Sequence, residues 1–151
     1  MAFTRTWDET APLGTAAANT LETIIQQLKT DVKERIPPAV TLTAAAEAAD
    51  IRVVTLQAND VNAVAWAMTR VLFRVWISDT EYGEVTTTLL PTVTVGTGAE
   101  LECLGNYQFL IVANASGLAT LSIELAGAAT MYVMAEVDGK VYSSGAVTFA
   151  A

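Results

Sequence analysis

Met131-Tyr-Val-Met-Ala-Glu-Val-Asp-Gly-Lys-Val-Tyr-Ser-Ser-Gly-Ala-Val-Thr-Phe149 is the stretch that decides the fold. Met131, Val133, Ala135 and Val137 recur every second residue, the period of a strand with one buried face. Tyr132 lies in opposite phase and points to the other face. Asp138-Gly139 is a two-residue hairpin signal, because both residues tolerate the left-handed conformation that a type I′ turn demands. Val141 to Phe149 returns as the partner strand, so this stretch reads as one antiparallel hairpin.

The same reading extends towards the N-terminus. Leu118 to Leu125 places Leu121, Ile123 and Leu125 on one face and Thr120, Ser122 and Glu124 on the other. Thr86 to Val95 is threonine-rich, Ile51 to Leu56 is a β-branched run, and Val40 and Leu42 alternate with threonines. Gly96-Thr-Gly98, Gly105-Asn106 and Asn114-Ala-Ser-Gly117 read as turns, the first as a hairpin turn. Thr43 to Asp50 is alanine-rich and reads as a helical turn or a loop. Seven to nine short strands at this spacing predict a mainly β chain built as an antiparallel sandwich, with a barrel second. In Val71 to Ile77 both alternating sets are rich in apolar groups: Val71, Phe73, Val75 and Ile77 against Leu72, Arg74 and Trp76. One face then meets the core and the other a neighbouring chain or the helix. Trp76 is the expected core tryptophan, since sandwiches often bury one in a central strand. Trp66, Phe73 and Phe109 are also expected in packing; Tyr82, Tyr107, Tyr132 and Tyr142 are expected to be exposed. Cys103, in a strand-like segment, is expected to be a buried small apolar residue.

Ahead of the β region lies one amphipathic helix signal, Thr20 to Ile36, with Leu21, Ile24, Ile25, Leu28, Val32 and Ile36 on one stripe. Thr15, Asn19 or Thr20 caps its start, and Pro37-Pro38 stops it. Leu21, Ile25, Leu28 and Val32 also fit a two-heptad seam, too short for a free-standing coiled coil. The helix either packs on its own domain or serves as an assembly interface on symmetry mates or a host protein. Residues 1–14 read as extended, broken by Pro12 and Gly14. The chain thus divides into an arm with an anchoring helix, 1–38, and a β domain, 39–151.

Composition narrows the function. Hydrophobic residues make up 52% of the chain, mean hydropathy is +0.41, and charged residues are only 16% against the usual quarter. Such a surface calls for partners to cover it, so a homo-oligomer or a larger assembly is expected. Net charge is −8, and residues 37–151 hold four basic groups (Arg52, Arg70, Arg74, Lys140) against eleven acidic ones. Phosphate-backbone binding needs clustered Lys and Arg, so neither nucleic acid nor an anionic membrane is an expected partner. The chain has no histidine and one cysteine; Cys/His zinc sites, an internal disulfide and histidine-based acid–base catalysis are therefore ruled out. No cofactor, metal or catalytic residue is expected. Gly96-Thr-Gly98 lacks the lysine and helix of a phosphate loop. Met1 to Asp8 carries no secretory pattern, so assembly in the cytoplasm is expected. The densest acidic cluster is Asp79, Glu81 and Glu84, which with Tyr82 forms a candidate exposed contact loop; calcium binding is its alternative role.

Two stretches resemble structural proteins of tailed bacteriophages. The N-terminal pattern Phe3, Trp7, Pro12, Gly14, Ala17, Leu21, Ile24-Ile25, Leu28-Lys29, Asp31-Val32 and Glu34-Arg35 resembles a leader of such proteins. Arg74-Val-Trp-Ile-Ser-Asp-Thr-Glu-Tyr-Gly83 and Ala135-Glu-Val-Asp-Gly-Lys-Val-Tyr-Ser-Ser-Gly145 resemble Ig-like domains of virion proteins. The resemblance implies an Ig-like β-sandwich over 39–151, localisation in the virion, and no catalytic residues. The role expected from it is capsid decoration (cement), with a trimer clamping major capsid protein subunits. The alternatives are a short tail-fibre or adaptor subunit with a receptor-binding sandwich, and a carbohydrate-binding module.

Overall fold

The computed structural model describes residues 23–29, 39–60, 63–66, 71–86 and 91–151. The chain forms two compact units, Met1–Pro37 and Pro38–Ala151. In the first, residues 23–29 are helical; Ile24 is half-buried, and Ile25 and Leu28 are exposed. The remainder of the expected Thr20 to Ile36 helix, with Leu21, Val32 and Ile36, lies outside the described residues, as does the arm. No helix among the described residues is long and apolar enough to cross a membrane.

The second unit is β. Its strands are β1 (Ala39–Ala44), β2 (Ile51–Asn59), β3 (Leu72–Ser78), β4 (Thr92–Thr97), β5 (Ala99–Leu104), β6 (Gln108–Val112), β7 (Leu118–Glu124), β8 (Ala129–Val137) and β9 (Lys140–Phe149). They make two antiparallel sheets, of order β1-β2-β7-β4 and β5-β6-β3-β8-β9. Period-two alternation sends Val54 and Leu56, with Leu121 and Ile123, inward from the first sheet. From the second sheet, Phe73, Val75 and Ile77 point inward with Phe109, Ile111, Met131, Val133 and Ala135. Together they form one buried cluster shared by both sheets. Mutual burial of these two faces is the main force holding the unit together.

Local chemistry sets the connections. Asp138 and Gly139 have φ of 51° and 78°, the type I′ turn expected between β8 and β9. In β9, Ser143-Ser144-Gly145 forms a bulge: Val133 N–H donates to Ser144 Oγ at 3.0 Å, and Gly145 N–H to Ser143 Oγ at 3.0 Å. The extra residue shifts the phase, so Tyr142 packs against the core before it, and Val147 and Phe149 are buried after it.

Three expectations are corrected. Trp76 is not a core residue: it is half-buried on the outer face of β3, because the wholly apolar set Phe73, Val75 and Ile77 takes the inner one. Among the described residues, Trp66 is the tryptophan that enters the core. Cys103 is exposed, since β5 is an edge strand and the register against β6 slips between Glu102 and Leu104. Gly96-Thr-Gly98 is not a hairpin turn: β4 pairs with β7 in one sheet and β5 with β6 in the other, so the chain changes sheets there. Gly98 has φ +106°, and a Cβ on it would lie 2.9 Å from Val112 O. Of the two readings of the alanine-rich segment 43–50, the loop holds: β1 ends at Ala44, and a loop with a tight turn leads into β2. Ala48 and Ile51 exchange both backbone hydrogen bonds (2.9 and 3.0 Å), and Ala49 and Asp50 turn between them with φ of 51° and 63°.

Candidate functional site

The outer faces of the two sheets differ in chemistry. On the first, Thr41, Thr43, Thr55, Gln57, Thr92, Thr94, Thr120 and Ser122 alternate with the inward residues. On the second, strand register aligns Leu101, Leu110, Arg74, Glu136 and Val141 in one row across all five strands. A neighbouring row holds Ala99, Val112 and Leu72; another holds Leu104, Gln108, Trp76, Met134 and Ser143. Leu101 is 63% exposed, Leu72 54% and Leu104 46%.

Arg74 and Trp76 build the polar end of this face. Arg74 Nη1 donates to Glu136 Oε2 at 3.1 Å, a cross-strand ion pair. With its amide oxygen turned to the guanidinium, Gln108 accepts from Arg74 Nε and Nη2, both at 3.1 Å. The guanidinium carbon sits 5.8 Å from the centre of the Trp76 ring, within range of a cation–π contact. Three neighbours therefore fix a side chain that is itself 55% exposed.

The loop after β3 closes the site. Trp76 Nε1 donates to Gly83 O at 2.9 Å. Ser78 Oγ donates to Thr80 O at 2.8 Å and accepts from Thr80 N–H at 3.3 Å. Gly83 N–H donates to Thr80 O at 3.0 Å, closing a β-turn over Thr80 to Gly83. Tyr82 takes the third position of that turn with φ 58° and is 65% exposed. A Cβ on Gly83 would press on the hydroxyls of Thr80 and Ser78, so a larger residue there needs those side chains to turn aside. Thr86 N–H then rejoins the sheet by donating to Ile77 O at 2.9 Å.

Arg74, Trp76, Tyr82, Gly83, Glu84 and Val85 line an open groove of about 260 Å³. Of the expected contact loop, Asp79, Glu81, Tyr82 and Glu84 are all exposed, and Tyr82 and Glu84 reach the groove. Arg74 and Trp76 are groove residues that the sequence reading assigned elsewhere. The usable signal was the apolar purity of Phe73, Val75 and Ile77, which leaves the other face to Arg74 and Trp76. Among the described residues, no three Asp, Glu or Cys side chains gather as a metal-binding group. The groove offers an indole, a phenol, a guanidinium and a carboxylate, groups suited to stacking and hydrogen bonding. No protein-family model, curated protein or solved structure matches the chain.

Proposed function

We propose that the chain is a structural virion protein of the decoration (cement) type, whose β unit binds major capsid protein subunits of a tailed phage from outside. The observation that carries this reading is the contrast between the two sheets. One outer face is mostly threonine, with Ile51 and Val53 at one end of β2; the other exposes Leu72, Leu101, Leu104 and Val141 around the Arg74–Glu136 ion pair. An apolar sheet face of this kind is a protein-binding surface in a soluble assembly. The strand neighbours support an Ig-like sandwich. The order β1-β2-β7-β4 corresponds to A-B-E-D of that fold, and β3-β8-β9 to C-F-G. The low charge of the chain and the resemblance of 74–83 and 135–145 to virion Ig-like domains point the same way. In this reading a homotrimer sits at local three-fold positions, and the helix holding Ile24, Ile25 and Leu28 contributes to assembly.

The test is particle stability. Particles depleted of the protein should assemble but break at a lower temperature, and purified protein should restore them. Protein carrying Leu72→Ser and Leu101→Ser should fold yet fail to restore. If depleted particles are as heat-stable as intact ones but no longer adsorb to cells, the chain is a tail-fibre or adaptor subunit instead.

A further inference from the structure

We propose that the groove between β3 and the Tyr82 turn is a binding site for a neutral glycan. The groove lies on the face that carries the capsid reading, between Leu101 and Val141 in the sheet order, but the inference rests on Tyr82 and the polar groups rather than on that apolar surface.

The first observation is Tyr82. The third position of a turn with φ near +58° belongs to glycine or asparagine, which adopt that conformation with little strain. A tyrosine there is held against its backbone preference. It is also 65% exposed, so it returns little by burial. Neither the turn nor the core calls for an aromatic ring at this position. What the ring does is line the groove. Strain retained at an exposed aromatic points to recognition.

The second observation is the fixed guanidinium. Glu136 and Gln108 hold Arg74 from two sides, and Trp76 lies 5.8 Å from it. The loop carbonyl of Gly83 in turn holds the Trp76 indole. The groove wall is thus ordered before any ligand arrives, which lowers the cost of binding. Arg74 offers donors and Glu84 offers acceptors, the complementary pair that vicinal hydroxyl groups need. Tyr82 supplies a flat surface for the C–H face of a sugar ring.

Charge selects the class. Glu136 already meets the charge of Arg74, Glu84 lines the wall, and Asp79 and Glu81 lie in the same loop. The domain carries four basic groups against eleven acidic ones. Phosphate, sulfate and sialic acid would meet net repulsion; a neutral oligosaccharide does not. The groove is open at the surface, so it fits a residue within a chain or a terminal sugar.

The full chain is applied to an array of neutral oligosaccharides printed beside their sulfated and sialylated counterparts. The best neutral binder is then titrated in solution by tryptophan fluorescence, which Trp76 reports. Neutral sugars should bind in preference to the acidic ones. Tyr82→Asn suits the turn, so it should melt no lower than the wild type while binding about tenfold more weakly or worse. Glu84→Gln should also weaken binding, and Leu101→Ser, at the far edge of the sheet, should leave it unchanged. An array with no neutral binder, a preference for acidic glycans, or equal binding by Tyr82→Asn would each overturn the proposal.

Discussion

Phe73 and Trp76 sit three residues apart on one strand and have opposite fates. Phe73 is fully buried between the sheets, whereas Trp76 lies on the outer face with its indole nitrogen bonded to the Gly83 carbonyl. Phe73→Ala should therefore cost about 3–5 kcal/mol, read from denaturant unfolding, because it removes a large side chain from a packed core. Trp76→Phe should cost about 1 kcal/mol, the worth of one hydrogen bond whose partner remains near water. Equal losses at the two positions would place Trp76 in the core after all. Cys103 behaves by the same logic of position. Its segment has strand chemistry, but an exposed edge strand with a register slip leaves the thiol in solvent. It should react with a thiol reagent in the native protein nearly as fast as in the unfolded chain, and slow labelling that speeds up only on denaturation would show it buried.

At the level of elements, most strands were legible because one face of each meets the core. Leu121 and Ile123 alternate with Thr120 and Ser122, and Met131 and Val133 with Thr130 and Tyr132, so period and type agree. The connections were less legible. Asp138-Gly139 announces its turn by residue type, whereas Ala49-Asp50 makes a turn of the same kind with an alanine at a left-handed position, a choice local propensity argues against. Gly96-Thr-Gly98 looked like a hairpin because glycine marks a turn without saying which strand comes next. The sheet change at Gly98 makes a prediction at this scale. Gly98→Ala has both an unfavourable φ and a close approach to Val112 O, so it should lower stability by about 1–3 kcal/mol. A melting temperature equal to wild type would mean that the crossover relaxes freely.

For the molecule as a whole, the division at Pro37 and Pro38 and the single buried cluster of the second unit predict that residues 38–151 fold alone. Their circular dichroism should be that of a β protein and their thermal unfolding cooperative. An unfolded fragment would show that the N-terminal unit belongs to the core. Residue type and a period of two were enough to read that the chain is mainly β, where most strands lie, and which face of each is apolar. Composition also set the acidic balance, and the absence of histidine confined the chemistry. Which strands share a sheet was not readable from that pattern, because pairing joins residues far apart, such as β2 with β7 and β3 with β8. That pairing alone brought Arg74 beside Glu136 and Gln108, and only the backbone path of the Thr80 to Gly83 turn brought Tyr82 to the groove that Trp76 lines. Side-chain pattern specifies inside and outside; a site made from several strands and a loop exists only once long-range hydrogen bonds have fixed their order.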